Sequence, residues 1–432
     1  MASEPTVPET RVLAIASHVV YGYVGNKMAT FVMQSLGCDV SAINTVNYSN
    51  HTAYKQVKGT KTSAEQIEEL YEGLKQSYLN NFDVLLSGYM PSAEDVQTVG
   101  QIGRDLKFNA TTKPGSFFWV LDPVMGDEGK LYIPEDEVPQ YKALLREADL
   151  ILPNQFEAEL LSDTKITDLH SLATAIKTLH RTYHVPHIII TSLRLSHANH
   201  ALPSKSSSGI QSSRHPSPPV HSEDNVEQED DGQQDTMTII GSTARSDHTP
   251  RLFRIDIPAY PLLFSGTGDM FAALTIPRLI EAVHAAHLST TRSWQSPDDV
   301  PAAELPLAKA TQKVLASMQA VLGKTAAFAK KEMAKFEAEE GRGGRGTGEE
   351  AERERERRRT VRLCRASEVR VVRNVRDLVE PPDLERFKAT EVSVEGVSRL
   401  AGEPMADELG VIHLGIGGMK DGAVHVVNRQ RG

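Results

Sequence analysis

Short apolar runs alternate with stretches of helical periodicity through the first half of this chain, and that alternation limits the folds open to it. Val12 to Ala16 has the continuous apolar character of a strand buried on both faces. Asn26 to Leu36 follows with Met28, Phe31, Val32 and Leu36 at helical spacing. Val40 to Asn44, Val84 to Leu86, Phe118 to Leu121, Leu150 to Leu152 and Ile188 to Thr191 continue the strand series. Helices are expected between them: Ala64 to Leu79, capped by Thr62 or Ser63 with Glu65 in the first turn, and Ala93 to Leu106. Such alternation predicts an α/β fold with a parallel sheet covered on both faces. In folds of this kind, ligands bind at the carboxyl ends of the strands.

Three segments break the pattern. Residues 196–235 are rich in Ser, Pro, His and Gln before turning acidic, and lack apolar periodicity. Residues 284–301 are polar and contain proline, and 337–359 mix Gly-Arg repeats with Glu and Arg. All three are expected to be disordered insertions. Leu305 to Phe336 reads as a long helix, Val369 to Val372 as a strand, and Val411 to Ile416 as a further candidate strand.

The net charge of −10 argues against broad binding to nucleic acid or acidic membranes. Only Cys38 and Cys364 are present, which suits a reducing compartment. The first ten residues lack a secretory or transit pattern, and no run of about 18 apolar residues occurs. A cytoplasmic protein, also compatible with the nucleus, is expected.

Polar motifs recur at the predicted strand ends. Ser17 closes the first strand, ahead of Gly22-Tyr23-Val24-Gly25-Asn26, and can bond a small ligand or cap a helix. Ser49-Asn50-His51-Thr52 follows the second strand and is dense in side-chain donors. Tyr89 lies after Ser87-Gly88 and can cover a planar ring or pack in the core. Asp122 and Asp127 flank a turn, where two carboxylates offer hard oxygens to Mg²⁺ or cap that turn. Glu128 to Tyr132 has the composition of a lid. Asn154 and Glu157 have capping-box spacing and project from the same strand-end surface as Asp122. Gly266-Thr267-Gly268-Asp269 opens an apolar helix. Small residues there let backbone N–H groups face an anion beside a carboxylate, as phosphoryl transfer to an alcohol requires.

Taken in order, these motifs resemble the pyridoxal kinase family of the ribokinase-like superfamily. The resemblance runs from Arg11 to Ser192, from Arg251 to Leu279, and more weakly from Lys309 to Thr390. It implies a three-layer α/β/α fold with a central, mostly parallel sheet. The catalytic domain would span 11–390, with residues 391–432 as a C-terminal extension. It further implies ATP-dependent phosphorylation of the 5′-hydroxymethyl group of pyridoxal, and of pyridoxine and pyridoxamine.

By resemblance, Asp269 would be the base, and Gly266, Thr267 and Gly268 the anion hole. Ser17, Thr52 and Tyr89 would contact pyridoxal, with His51 and Val24 lining its pocket. Asp122, Asp127, Asn154 and Glu157 would surround the ATP phosphates, with Asp122 and Glu157 toward the metal. Thr191, Ser192 and Thr267 would approach ATP, and Tyr132 would belong to the lid. Mg²⁺ or another divalent cation, a monovalent cation (K⁺ or Na⁺) and a homodimer are also implied. Two positions depart from the family pattern: Pro261 stands where an acidic residue is usual, and Leu152 where a threonine is. A kinase of another alcohol such as hydroxymethylpyrimidine, or a non-catalytic B6-binding scaffold, are the competing readings.

Overall fold

The computed structural model describes residues 7–193, 236–342 and 348–392. Strands β1 (Thr10–Val19), β2 (Cys38–Tyr48), β4 (Val84–Ser87), β5 (Phe118–Leu121), β8 (Leu150–Ile151) and β9 (His187–Leu193) pair in parallel. β3 (Gly59–Lys61) adds antiparallel to β2 at one edge. At the other edge β10 (Thr236–Ala244), β11 (Pro250–Pro258) and β12 (Thr390–Val392) continue antiparallel from β9. Among the described residues the sheet has ten strands in the order β12-β11-β10-β9-β8-β5-β4-β1-β2-β3. A separate two-stranded hairpin is formed by β6 (Gly126–Asp127) and β7 (Lys130–Leu131).

The sheet divides two apolar layers. Along β1, Val12 and Ala14 face one layer while Leu13 and Ile15 face the other. Phe118 and Val120 oppose Trp119 and Leu121 in β5 in the same way. Both strand faces are buried, which is why the sequence shows continuous apolar runs rather than alternation. The first layer is covered by α1 (Gly25–Ser35), α7 (Thr267–Ala285) and α8 (Pro306–Arg342). On the second lie α2 (Ala64–Gln76), α3 (Ala93–Asn109), α4 (Glu137–Leu144), α5 (Gln155–Ser162) and α6 (Leu169–Thr182). This is a three-layer α/β/α arrangement with a mostly parallel sheet.

Several boundaries differ from expectation. Residues 284–301 are ordered: Trp294 stacks on Phe118 with ring centroids 4.0 Å apart. The Arg251 guanidinium binds the carbonyls of Ser296, Pro297 and Val300. One aromatic anchor and one buried cation thus hold a stretch whose composition alone reads as loop. Within 337–359, α8 continues to Arg342 and α9 (Glu349–Ala366) begins, so the described part is helical rather than disordered. The mixed charges pair across the two helices, Arg358 with Glu340 at 3.2 Å and Arg362 with Glu332 at 3.3 Å.

Val369 to Val372 is no strand. Val369 and Val371 are buried alternately, but the Arg370 N–H binds Thr325 Oγ1, and among the described residues no strand pairs with the segment. Residues 391 and 392 belong to β12 and not to an extension. The expected insertion at 196–235, the remaining tail at 393–432 and the candidate strand at Val411 to Ile416 lie outside the described residues. Among the described residues no helix is long and apolar enough to cross a membrane.

Candidate active site

Four chain segments converge at the carboxyl ends of the central strands. The first is the start of α7. Gly266 is its N-cap at φ +80°, a conformation that favours glycine. The Met270 N–H closes the first helical bond to the Gly266 carbonyl, and no side chain caps the helix. The amides of Thr267, Gly268 and Asp269 therefore lack intrahelical partners and add to the positive end of the helix dipole. A Cβ at Gly266 would stand 2.2 Å from the Tyr23 carbonyl oxygen, so α7 begins hard against the segment leading into α1.

Ser17 is half-buried late in β1, with Gly25 packed on it: a Cβ at Gly25 would lie 2.3 Å from Ser17 Oγ. Burial raises the Asp269 pKa above the ordinary carboxylate value, and the nearby Gly25 N–H offsets part of that rise. Val24 is the N-cap of α1, and its side chain would be 3.1 Å from a Cβ on Gly266. Ser17, Val24 and the Gly266–Asp269 turn thus form one continuous surface.

Asp122 follows β5 and is anchored by its own N–H to the Ser87 carbonyl at 2.8 Å. It is buried, and its pKa is raised well above the usual value by that burial, then by the charges of Glu157 and Asp269. A Cβ on Gly268 would be 3.9 Å from Asp122 Oδ2, which places this carboxylate beside the open end of α7.

Glu157 serves the turn after β5. Its Oε1 accepts from Met125 N–H at 2.9 Å and Gly126 N–H at 3.4 Å, and its Oε2 from Asn154 N–H at 2.8 Å. Burial pushes its carboxyl up to about 7 against the opposing effect of these bonds. Asn154 completes the capping box expected from sequence and also donates to the Gly126 carbonyl at 2.7 Å. With both Glu157 oxygens engaged by backbone, Asp122 is the carboxylate better placed to meet a cation directly. Glu157 sets the turn that carries it.

The remaining predicted residues are more dispersed. Asp127 and Tyr132 are exposed on and just after the β6–β7 hairpin, the geometry of a flap. The Thr191 N–H binds the Pro153 carbonyl at 3.1 Å, which brings β9 and half-buried Ser192 up to the Asn154 turn. Thr52 is exposed in a short 3-10 turn, Thr52–Tyr54. Tyr89 is half-buried against the layer under α2–α6, with its hydroxyl pushed up to about 12 by burial. His51 sits 3.3 Å from Ser265 Oγ, directly before the α7 turn.

One partner escaped the sequence reading. Glu368, just beyond α9, meets His51 Nε2 at 2.9 Å. Its only sequence signal is Gly22, which lacks the Cβ that would meet Glu368 and takes a φ of +96°.

Among the described residues, no group of three or more His, Cys, Asp or Glu side chains is arranged to hold a metal ion. That agrees with the donor set here, since Mg²⁺ is commonly held by one or two carboxylates together with substrate phosphates. An uncapped helix end beside buried Asp122 fits a phosphate–cation pair.

A ribokinase-like three-layer fold with an uncapped helix N-terminus beside buried Asp122 fits a class of small-alcohol kinases. Sequence comparison narrows it. The phosphomethylpyrimidine kinase family model matches residues 32–221. The pyridoxal kinase of Homo sapiens is 35% identical over 279 residues, which span 62% of this chain and 77% of the human one. That of Sus scrofa is 37% identical over 273 residues, spanning 62% and 74%. Among solved structures, pyridoxal kinase from Leishmania donovani in complex with ADP and pyridoxamine superimposes with a TM-score of 0.60 at 26% identity. The match covers 89% of this chain and 99% of that one. The chain belongs to the pyridoxal kinase family.

Proposed function

We propose that this protein is an ATP-dependent pyridoxal kinase that phosphorylates the 5′-hydroxymethyl group of B6 vitamers. The observation that carries the reading is Asp269, half-buried in the first turn of α7 beside amides that no side chain caps, with the Gly25 N–H close by. A carboxylate in that place can take the hydroxymethyl proton as the oxygen attacks the γ-phosphorus. The amides of Thr267, Gly268 and Asp269 stabilise the negative charge spread over the transferring oxygens. The bond to the ADP leaving oxygen breaks as the new P–O bond forms, and the proton ends on Asp269.

Asp122 would hold the divalent cation, Mg²⁺ in this reading, with Glu157 and Asn154 shaping its turn. When bound, that cation supplies charge neutralisation for the phosphates. Ser17, Val24, Thr52 and Tyr89 would contact or line the vitamin site, Thr191 and Ser192 the nucleotide, and the hairpin carrying Asp127 and Tyr132 would cover it. The Leu152 side chain, unlike that of a threonine, has no oxygen to offer the implied monovalent cation. A homodimer located in the cytoplasm completes the proposal.

A second reading is a kinase of another alcohol such as hydroxymethylpyrimidine, and the match of residues 32–221 to the phosphomethylpyrimidine kinase family model keeps a pyrimidine substrate in view. Purified protein with ATP and Mg²⁺ and either alcohol separates them. Pyridoxal 5′-phosphate should form with a kcat/KM well above that for the pyrimidine. The reverse preference would sink the pyridoxal reading, and binding without product would support a non-catalytic role.

A further inference from the structure

A residue far outside the motifs fastens the wall that carries His51. Glu368 stands 317 positions from His51, just past the end of α9. Its Oε1 accepts from His51 Nε2 and from the Tyr54 hydroxyl, each at 2.9 Å. Its Oε2 accepts the Tyr23 N–H at 3.3 Å. The other ring nitrogen of His51, Nδ1, faces Ser265 Oγ at 3.3 Å. The pair is well shielded, with side-chain exposures of 10% for His51 and 12% for Glu368. A Cβ at Gly22 would collide with Glu368 Oε2 at 2.6 Å, so the glycine turn before α1 is what admits this carboxylate.

We propose that Glu368 is a positioning residue for the vitamin, acting through the ring orientation and tautomer of His51. The inference rests on the pyridoxal kinase reading. An ionised carboxylate only accepts hydrogen bonds, so the nitrogen it meets, Nε2, carries the proton. In the neutral ring Nδ1 is then an acceptor, and the Ser265 hydroxyl donates to it. Ser265 immediately precedes the Gly266–Gly268 turn. His51 and Tyr54, two of the donors to Glu368, flank Thr52. The third donor, Tyr23, has its carbonyl against Gly266. One carboxylate therefore joins the turn before α1 and the 51–54 turn directly, and the loop before α7 through His51. A carboxamide in its place keeps the shape but presents an N–H where only donors converge. A residue that merely packs would tolerate that exchange, whereas a positioning residue would not.

The test uses the full chain with pyridoxal, ATP and Mg²⁺. Glu368→Gln should raise the KM for pyridoxal about tenfold while the KM for ATP stays within about twofold. Long-range ¹H–¹⁵N spectra of the imidazole rings should show His51 as the Nε2–H form in the parent and as a tautomer mixture in Glu368→Gln. Glu368→Asp should recover part of the loss. In a His51→Phe background, Glu368→Gln should add nothing further to the pyridoxal KM.

An unchanged pyridoxal KM together with an unchanged His51 spectrum overturns the proposal, as does an equal loss with and without His51. Should Glu368→Gln fail to fold, Ser265→Ala cuts the same chain at its other end. It must give the same KM-selective loss, and a parental KM overturns the idea. A parent protein that phosphorylates no B6 vitamer defeats the functional reading instead, and the ring spectrum still reports on the tautomer.

Discussion

The two sides of the candidate site are built by opposite means. The wall proposed for the phosphates is local: Asn154 and Glu157 bond to each other, and to Met125 and Gly126 in the turn after β5. The end of α7 supplies its amides from consecutive residues. The wall proposed for the vitamin is assembled at long range, with His51 held between Ser265 and Glu368, 214 and 317 positions away. A locally closed turn keeps its geometry wherever the strand end places it. An assembled wall depends on the packing of everything between its parts, here including helices α8 and α9. Damage to the first should therefore appear in turnover and nucleotide handling, and damage to the second in vitamin affinity.

Asp269 stands where the walls meet, and its loss should have the largest effect. Asp269→Asn keeps the shape and removes the proton acceptor, so kcat should fall about 10²–10⁴-fold. Pyridoxal and ATP should still bind, as titration calorimetry would show. A kcat within about twofold of the parent would remove Asp269 from the base role. The pH dependence carries a sign. The base must be ionised, and burial raises the Asp269 pKa above 3.8. Activity is thus lost as pH falls through that raised value, so the acidic limb of kcat lies above the ordinary aspartate range. That limb should disappear from the residual activity of Asp269→Asn.

Gly266→Ala strikes both walls at once. The substitution forces a side chain into φ +80° and against the Tyr23 carbonyl at 2.2 Å. Left-handed strain of this kind costs about 1–3 kcal/mol. The thermal midpoint should drop, and the KM values for pyridoxal and ATP should rise together. A rise in only one of them would show that the walls are not joined at this glycine.

The same contrast explains what the sequence could reveal. The alternation of apolar runs and helical periods was enough for the parallel sheet, because strands buried on both faces leave few other patterns. The capping box at Asn154 and Glu157 was legible because both partners lie within one helical turn. Glu368 was not, since nothing near it in sequence marks a carboxylate that will meet a histidine 317 residues earlier. Val369 and Val371 misled for a related reason. Period-two burial signals a strand only where another strand is present to pair with it, and here α8 supplies the contact through Thr325. Trp294 shows the same limit for loops, because its stacking partner Phe118 belongs to a strand of the first half of the chain.

Asn154→Ala tests the local wall alone. It removes the helix cap and the bond to the Gly126 carbonyl, at a stability cost of about 1 kcal/mol. The KM for ATP should rise while that for pyridoxal holds. A change confined to pyridoxal would reverse the assignment of the walls.

The smallest effect is expected where charge is most abundant. Arg358 pairs with Glu340 at 3.2 Å, but the arginine side chain is 55% exposed, so salt and water screen the attraction. Arg358→Ala should cost no more than about 0.5 kcal/mol in thermal or denaturant unfolding. Both KM values should stay at the parental level. If α9 matters because it delivers Glu368, its surface charges are replaceable as long as Ala366, buried at its end, still anchors the turn into Glu368. A marked loss of pyridoxal affinity in Arg358→Ala would mean that α8 and α9 tune the vitamin wall through their charges. The division between a local wall and an assembled one would then have to include the charged helices themselves.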